Sequence, residues 1–293
     1  MNKIGIQYLY WNEPDVLRAA SLTAEAGLDV FECGTTVATN MTSQQRKEFG
    51  QALRSKGLDI TLNGGMPGAD PCSPDAEIRK ESIRLCCEAV QAAADVGSPV
   101  WGGIIYSKWL GMPEGSLTAQ SRREMWQRGV ESMRQVMTVA EREGVDVCFE
   151  IVNRFEAYMA TTSAQGVAFT EDIGSKRAKL LLDVFHMNIE EDSTVEAMAH
   201  AMSHGRFGHL HVSESNRGMP GLRKTDMDWD GILGSLPKMG YEGIITMEPM
   251  VMMETPTSGK YRIWRDMLED FSEAGLLAAA AKSARFLREK LNP

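Results

Sequence analysis

The stretch "GIQYLYWNEPD" (residues 5–15) closes the first β-rich run of the chain and decides between two folds. An open, doubly wound dinucleotide sheet would carry G-x-G-x-x-G here, where bare backbone lets a pyrophosphate approach a helix N-terminus. The run passes instead into Tyr8, Tyr10 and Trp11 and then into Pro14 and Asp15. Bulky rings at those positions leave no phosphate cradle, so the first turn argues for a closed barrel.

The rest of the chain repeats the same unit. Short β-rich runs occur at 3–9, 29–33, 58–64, 99–105, 146–152, 179–185, 207–213 and 243–249. Between them, apolar residues fall at three and four spacing, as in "IRLCCEAVQAAADVG" (83–97) and "VESMRQVMTVAEREG" (130–144). Gly27, Gly57, Gly97 and Gly144 end helical patterns just before the next strand, as left-handed helix caps do. Eight β/α units predict a single (β/α)8 TIM barrel, and with no linker or composition break one domain is expected over residues 1–293, closed by a helix from about Ser272 to Pro293.

Composition excludes several functions. The 31 basic residues are outnumbered by 40 acidic ones, a net charge of −9, and no cluster of Lys and Arg suits phosphate. Nucleic acid and anionic membranes are therefore not expected partners. No run approaches the roughly 20 apolar residues of a membrane span, and the start lacks signal-peptide regions, so a cytoplasmic protein is expected. The five cysteines are odd in number and form no C-x-x-C pair, which predicts reduced, mostly buried thiols.

In such barrels, chemistry sits at the C-terminal ends of the strands. The fifth run ends in Glu150, the sixth in Asp183, the seventh in His211 and the eighth in Glu248. Three carboxylates and an imidazole suit a divalent cation such as Mn2+, Co2+ or Mg2+. His209 shares a strand face with His211 and is expected one layer deeper as an interior histidine, whereas His200 and His204 follow helical spacing and belong on the surface. His186 is expected in the loop after Asp183, facing substrate. Tyr8, Trp11 and Trp109 are candidate apolar walls, and Arg154 is either a carboxylate's partner or a site residue.

The motifs "FEIVNRFE" (149–156), "LDVFHMNIEE" (182–191), "GHLHVSESNR" (208–217) and "GIITMEP" (243–249), taken in order, resemble the ketose 3-epimerases of the D-tagatose and D-psicose (D-allulose) type, within the xylose isomerase-like barrels. The opening "MNKIGIQYLYW" and "WRDM" (264–267) are similar too, so the likeness covers most of the chain. It implies a divalent metal, Mn2+ foremost, on Glu150, Asp183, His211 and Glu248, with Glu150 and Glu248 as the two acid/base groups. Substrate contacts are implied at Glu156, His186 and Arg217. The activity implied is C3 epimerisation of free ketohexoses, pairing D-fructose with D-psicose and D-tagatose with D-sorbose through a cis-enediolate, in a homodimer or homotetramer.

Some positions depart from that pattern. Ser213 stands where the family often has Gly, and the loop from Arg217 to Trp229 is longer. The segments "NGGMPGADP" (63–71) and "WGGIIYSKW" (101–109), at the distal wall, are individual to this chain. An aldose–ketose isomerase, a lyase acting on a keto-glycoside, or a sugar-binding protein without turnover would use the same scaffold and stay open as alternatives.

Overall fold

A computed structural model describes residues 2–111 and 115–292, so Met1 and Pro293, the limits of the expected domain, lie outside the described residues. Eight strands close into one parallel barrel in sequence order. They are β1 (Ile4–Gln7), β2 (Val30–Gly34), β3 (Asp59–Asn63), β4 (Val100–Gly103), β5 (Asp146–Ile151), β6 (Ala178–Asp183), β7 (Phe207–Val212) and β8 (Ile245–Met247). They coincide with the eight apolar runs read from the sequence. Where a phosphate loop would stand, β1 passes into a tight 3-10 turn over Tyr8–Trp11, then through a left-handed Asn12 (φ 48°), and Asp15 caps the Val16–Glu25 helix.

Within the chain, contacts gather into two compact units. One comprises the residues up to Glu32, Gln51–Asp59 and those from Leu210 on. Its sheet runs β2–β1–β8–β7, with Ile6 beside Met247 and Val212 beside Met247 on the other side. The Glu273–Leu291 helix, capped by Ser272, packs against the Val16–Glu25 and Trp229–Ser235 helices.

The other unit holds Cys33–Gly50 and Ile60–His209. Its strands β4, β5 and β6 pair in register, with Gly102 beside Cys148 and Glu150 beside Leu181. Val100, Cys148 and Leu181 form a buried apolar cluster. By the two-residue period of a strand, Cys148 and Leu181 lie one layer beneath Glu150 and Asp183, so a dry floor supports those carboxylates. Gly144 ends the Ala119–Glu143 helix at φ 73°, a conformation that costs glycine little and lets the chain turn directly into β5. Gly166 is needed for another reason: a Cβ there would stand 2.7 Å from Ile151 Cδ1 and 2.9 Å from Leu180 Cδ2, so only glycine brings its helix this close to β5 and β6.

Behind β5, Phe169 on the Ser163–Ile173 helix meets Phe149, Tyr106 and Trp126 at ring-centroid distances of 5.4, 5.8 and 5.1 Å. Truncating Phe169 to Ala is expected to cost about 3–5 kcal/mol, since the rings around it cannot collapse into the hole. Urea unfolding would register this as a lower midpoint with an unchanged slope.

All five cysteines are free, four of them buried and Cys87 half-buried. Among the described residues, no helix is long and apolar enough to cross a membrane.

Candidate metal centre and active site

Glu150 lies near the end of β5, Asp183 ends β6, His211 is the penultimate residue of β7 and Glu248 directly follows β8. One ligand atom from each lies within 4.8 Å of all the others. Glu150 and Glu248 are 6% and 5% exposed, and Asp183 and His211 are fully buried. Three carboxylates packed this closely out of water repel one another strongly unless positive charge sits among them. Hard oxygen donors with one imidazole fit a divalent cation, and these four residues would hold it.

His211 Nδ1 lies 3.3 Å from Glu248 Oε2, while its other nitrogen, Nε2, lies 2.9 Å from Glu32 Oε1. Burial alone would push the imidazole down, but the carboxylates of Glu32 and Glu248 hold it well above its ordinary range. Glu248 shows the converse: burial raises it, yet the Arg217 guanidinium and His211 outweigh burial and bring it to about 2. Arg217 Nη1 donates to Glu248 Oε2 at 2.9 Å, and Gln7 Nε2 donates to Oε1 at 2.7 Å, so both oxygens are fixed. Arg217 reaches this position from a left-handed backbone (φ 65°), which is strained for a residue with a Cβ. Its carbonyl accepts from Met250 N–H at 2.8 Å, tying the loop after β7 to the loop after β8.

Asp183 also starts a helix. Its Oδ1 accepts from Phe185 N–H at 2.9 Å, which caps the Val184–Glu190 helix and leaves Oδ2 turned to the cluster. His186 therefore sits in the first turn of that helix and not in a loop, a correction to the sequence reading. It is 2% exposed, with Nε2 3.7 Å from both Glu150 Oε1 and Asp183 Oδ2. Trp109 Nε1 donates to Glu156 Oε2 at 3.0 Å, joining the loops after β4 and β5. Arg154 takes the structural alternative, pairing through two nitrogens with Glu190 at 2.8 and 2.9 Å.

His209 is fully buried and groups with Glu32 and His211. His204 lies exposed against Glu171. Tyr8 is half-buried, edge-on to Phe31 at 6.4 Å. Trp11 is not a wall of this cluster, because its indole N–H donates to Thr23 Oγ1 and its ring lines a separate cavity of about 380 Å³ with Leu22, Phe271 and Leu276.

Three functional residues escape the sequence reading. Gln7 ends β1, where the strand-end rule applied to all eight runs finds it, and Glu32 lies in the middle of β2, as the polar residue of an otherwise apolar run. Glu214, fully buried, accepts from Gly221 N–H at 2.6 Å, from Trp229 Nε1 at 3.2 Å and from the Thr225 hydroxyl. It organises the long loop after Arg217, and only tertiary structure reveals that.

Barrel, strand-end carboxylates and buried imidazole together define a xylose isomerase-like TIM barrel, and the model of that family matches residues 20–289. The chain is 34% identical over 291 residues to a D-psicose 3-epimerase of Ruminiclostridium cellulolyticum, covering 98% of this chain and 97% of that one. An L-ribulose 3-epimerase of Mesorhizobium japonicum is 31% identical, over 92% of this chain and 89% of its own. The solved D-psicose 3-epimerase with D-tagatose from Clostridium cellulolyticum H10 superposes with a TM-score of 0.92 at 32% identity, covering 99% of this chain and all of that one. The chain belongs to the ketose 3-epimerase family and is an enzyme of the epimerase and isomerase class.

Proposed function

We propose that this protein inverts C3 of free ketohexoses, interconverting D-fructose with D-psicose and D-tagatose with D-sorbose. The observation that carries the reading is the convergence of two glutamates from different strands, Glu150 and Glu248, on one buried cluster. Inverting a carbinol beside a ketone needs a proton removed from one face and another returned to the opposite face, and two separately mounted carboxylates supply both operations.

A divalent cation held by Glu150, Asp183, His211 and Glu248 would stabilise the negative charge of the cis-enediolate as it develops. Mn2+ is the ion proposed, with Co2+ and Mg2+ suited to the same donors. One glutamate takes the C3 proton, the C3–H electron pair becomes the C2–C3 double bond, and the ketone oxygen takes up the charge. The other glutamate, which has taken up a proton from water beforehand, then delivers it to the opposite face of C3 as the ketone re-forms, and the first glutamate releases its proton to water. Arg217 donates to Glu248 Oε2, and its guanidinium favours the ionised form of that carboxylate. Arg217 and His186 donate toward O2 as it gains charge, and Glu156, oriented by the Trp109 N–H, holds the O1 hydroxyl. Tyr8 and Trp109 serve as apolar walls for the sugar.

The proposal includes one barrel domain working in the cytoplasm as a homodimer or homotetramer, with neither nucleic acid nor membrane as a partner. The test is incubation of Mn2+-loaded enzyme with D-fructose, D-tagatose, D-psicose and L-ribulose in D2O, then NMR of the sugars after protein and metal are removed. Deuterium at C3 in a C3-epimeric product is expected. An aldose product, or label at C1, would instead make the enzyme an isomerase.

A further inference from the structure

The hydrogen bonds around His186 determine which of its nitrogens carries the proton. Asn153, 2% exposed, lies two residues beyond the end of β5. Its Oδ1 accepts from Phe155 N–H at 2.9 Å. A backbone N–H can only donate, so this end of the amide is its oxygen and the other is its NH2 group. That NH2 lies 2.8 Å from His186 Nδ1, and the backbone N–H of Asn153 is directed at the same nitrogen from 3.2 Å. Nδ1 thus meets two donors, and a proton on it would face both. It must present its lone pair, which places the ring proton on Nε2, the nitrogen facing Glu150 and Asp183.

We infer that Asn153 is a positioning residue that locks His186 in the Nε2–H tautomer, making Nε2–H a hydrogen-bond donor toward the sugar oxygen that gains charge. The functional half rests on the epimerase reading, while the tautomer follows from geometry alone. The arrangement suits the site. A neutral imidazole adds no positive charge beside a divalent cation, yet Nε2–H can still polarise the ketone; in the opposite tautomer Nε2 would present a lone pair to an oxygen becoming negative.

Asn153→Asp and Asn153→Ala separate this role from a merely structural one. Aspartate keeps an oxygen for Phe155 N–H but turns an acceptor toward His186 Nδ1. Alanine removes the amide while the backbone N–H still donates to Nδ1. The experiment is 15N–1H correlation NMR of histidine-labelled, Mg2+-loaded enzyme, with the His186 signals assigned by their loss in His186→Gln, alongside steady-state kinetics and bound-metal analysis. The wild type and Asn153→Ala are expected to show a bare Nδ1 and a protonated Nε2, and Asn153→Asp a protonated Nδ1. In Asn153→Asp, kcat should fall about 10²-fold with bound metal unchanged, against less than about 10-fold in Asn153→Ala. A proton on Nδ1 in the wild type, or Asn153→Asp with unaltered tautomer and turnover, would overturn the inference. The expected tautomers without turnover of any ketose by the wild type would leave the lock standing and remove the epimerase reading.

Discussion

Glu248→Gln is expected to abolish net epimerisation, lowering kcat by roughly 10³-fold or more, because an amide cannot take up the C3 proton. The substitution preserves shape. The amide oxygen can still accept from Gln7 Nε2, which now lies 2.7 Å from Glu248 Oε1. What it removes is the carboxylate charge that the Arg217 guanidinium favours. Hydrogen exchange in D2O gives the sharper result, since inversion needs both carboxylates whereas exchange at one face needs only one. Glu248→Gln should therefore wash deuterium into C3 of the epimer whose proton faces Glu150, without forming its partner, and Glu150→Gln should do so for the other epimer. Complementary exchange of this kind would assign each glutamate to a face. Turnover near the wild-type rate in either variant would remove that glutamate from proton transfer and with it the two-glutamate mechanism, and unimpaired sugar binding with no exchange even in the wild type would fit a binding protein instead.

Much of the architecture is legible in the sequence because it rests on local patterns. Each strand is a short run of β-branched and apolar residues, and the polar residue ending a run marks the barrel's C-terminal rim, so strand ends alone select Glu150, Asp183, His211 and Glu248. Gln7 ends β1 and the rule reaches it once it extends beyond the last four strands, whereas Glu32 lies in the middle of β2 and is marked only as the polar residue within the apolar run "DVFEC". The loop expected around His186 fails for a local reason. Asp183 is a helix cap as well as a candidate ligand, and its capping bond starts a helix at Val184 directly after the strand. The roles of Asn153 and Glu214 are out of reach of sequence, because what an amide or carboxylate does when buried depends on which partners the fold brings to it, and those lie up to 33 residues away in the chain. Trp11 shows the same limit from the other side: an aromatic near a strand end packs against the following helix through Thr23.

The second large effect is expected at Glu32, which touches no reacting atom in the proposed mechanism. His211 can offer Nδ1 to a cation only while Nε2 carries the proton, and Glu32 Oε1 lies 2.9 Å from Nε2. A carboxylate there fixes the tautomer and the ring plane, and makes the opposite nitrogen a stronger ligand. Glu32→Gln keeps an oxygen within reach of Nε2–H but loses the charge, whereas Glu32→Ala loses both. Apparent Mn2+ affinity, measured calorimetrically on metal-stripped protein, should fall about 10-fold in Glu32→Gln and toward 100-fold in Glu32→Ala, with catalysis recovered at excess Mn2+. Recovery by metal separates this role from damage to the fold, which added cation would not repair. Glu32 also groups with His209 and His211, all buried, as a second set of possible ligands. If Glu32 itself bound metal, the wild type would take up two ions per chain and Glu32→Ala would lose one of them outright. A single ion per chain, held more weakly in both variants, is the expected result, because His211 Nε2 cannot both donate its proton to Glu32 and offer a lone pair to a cation.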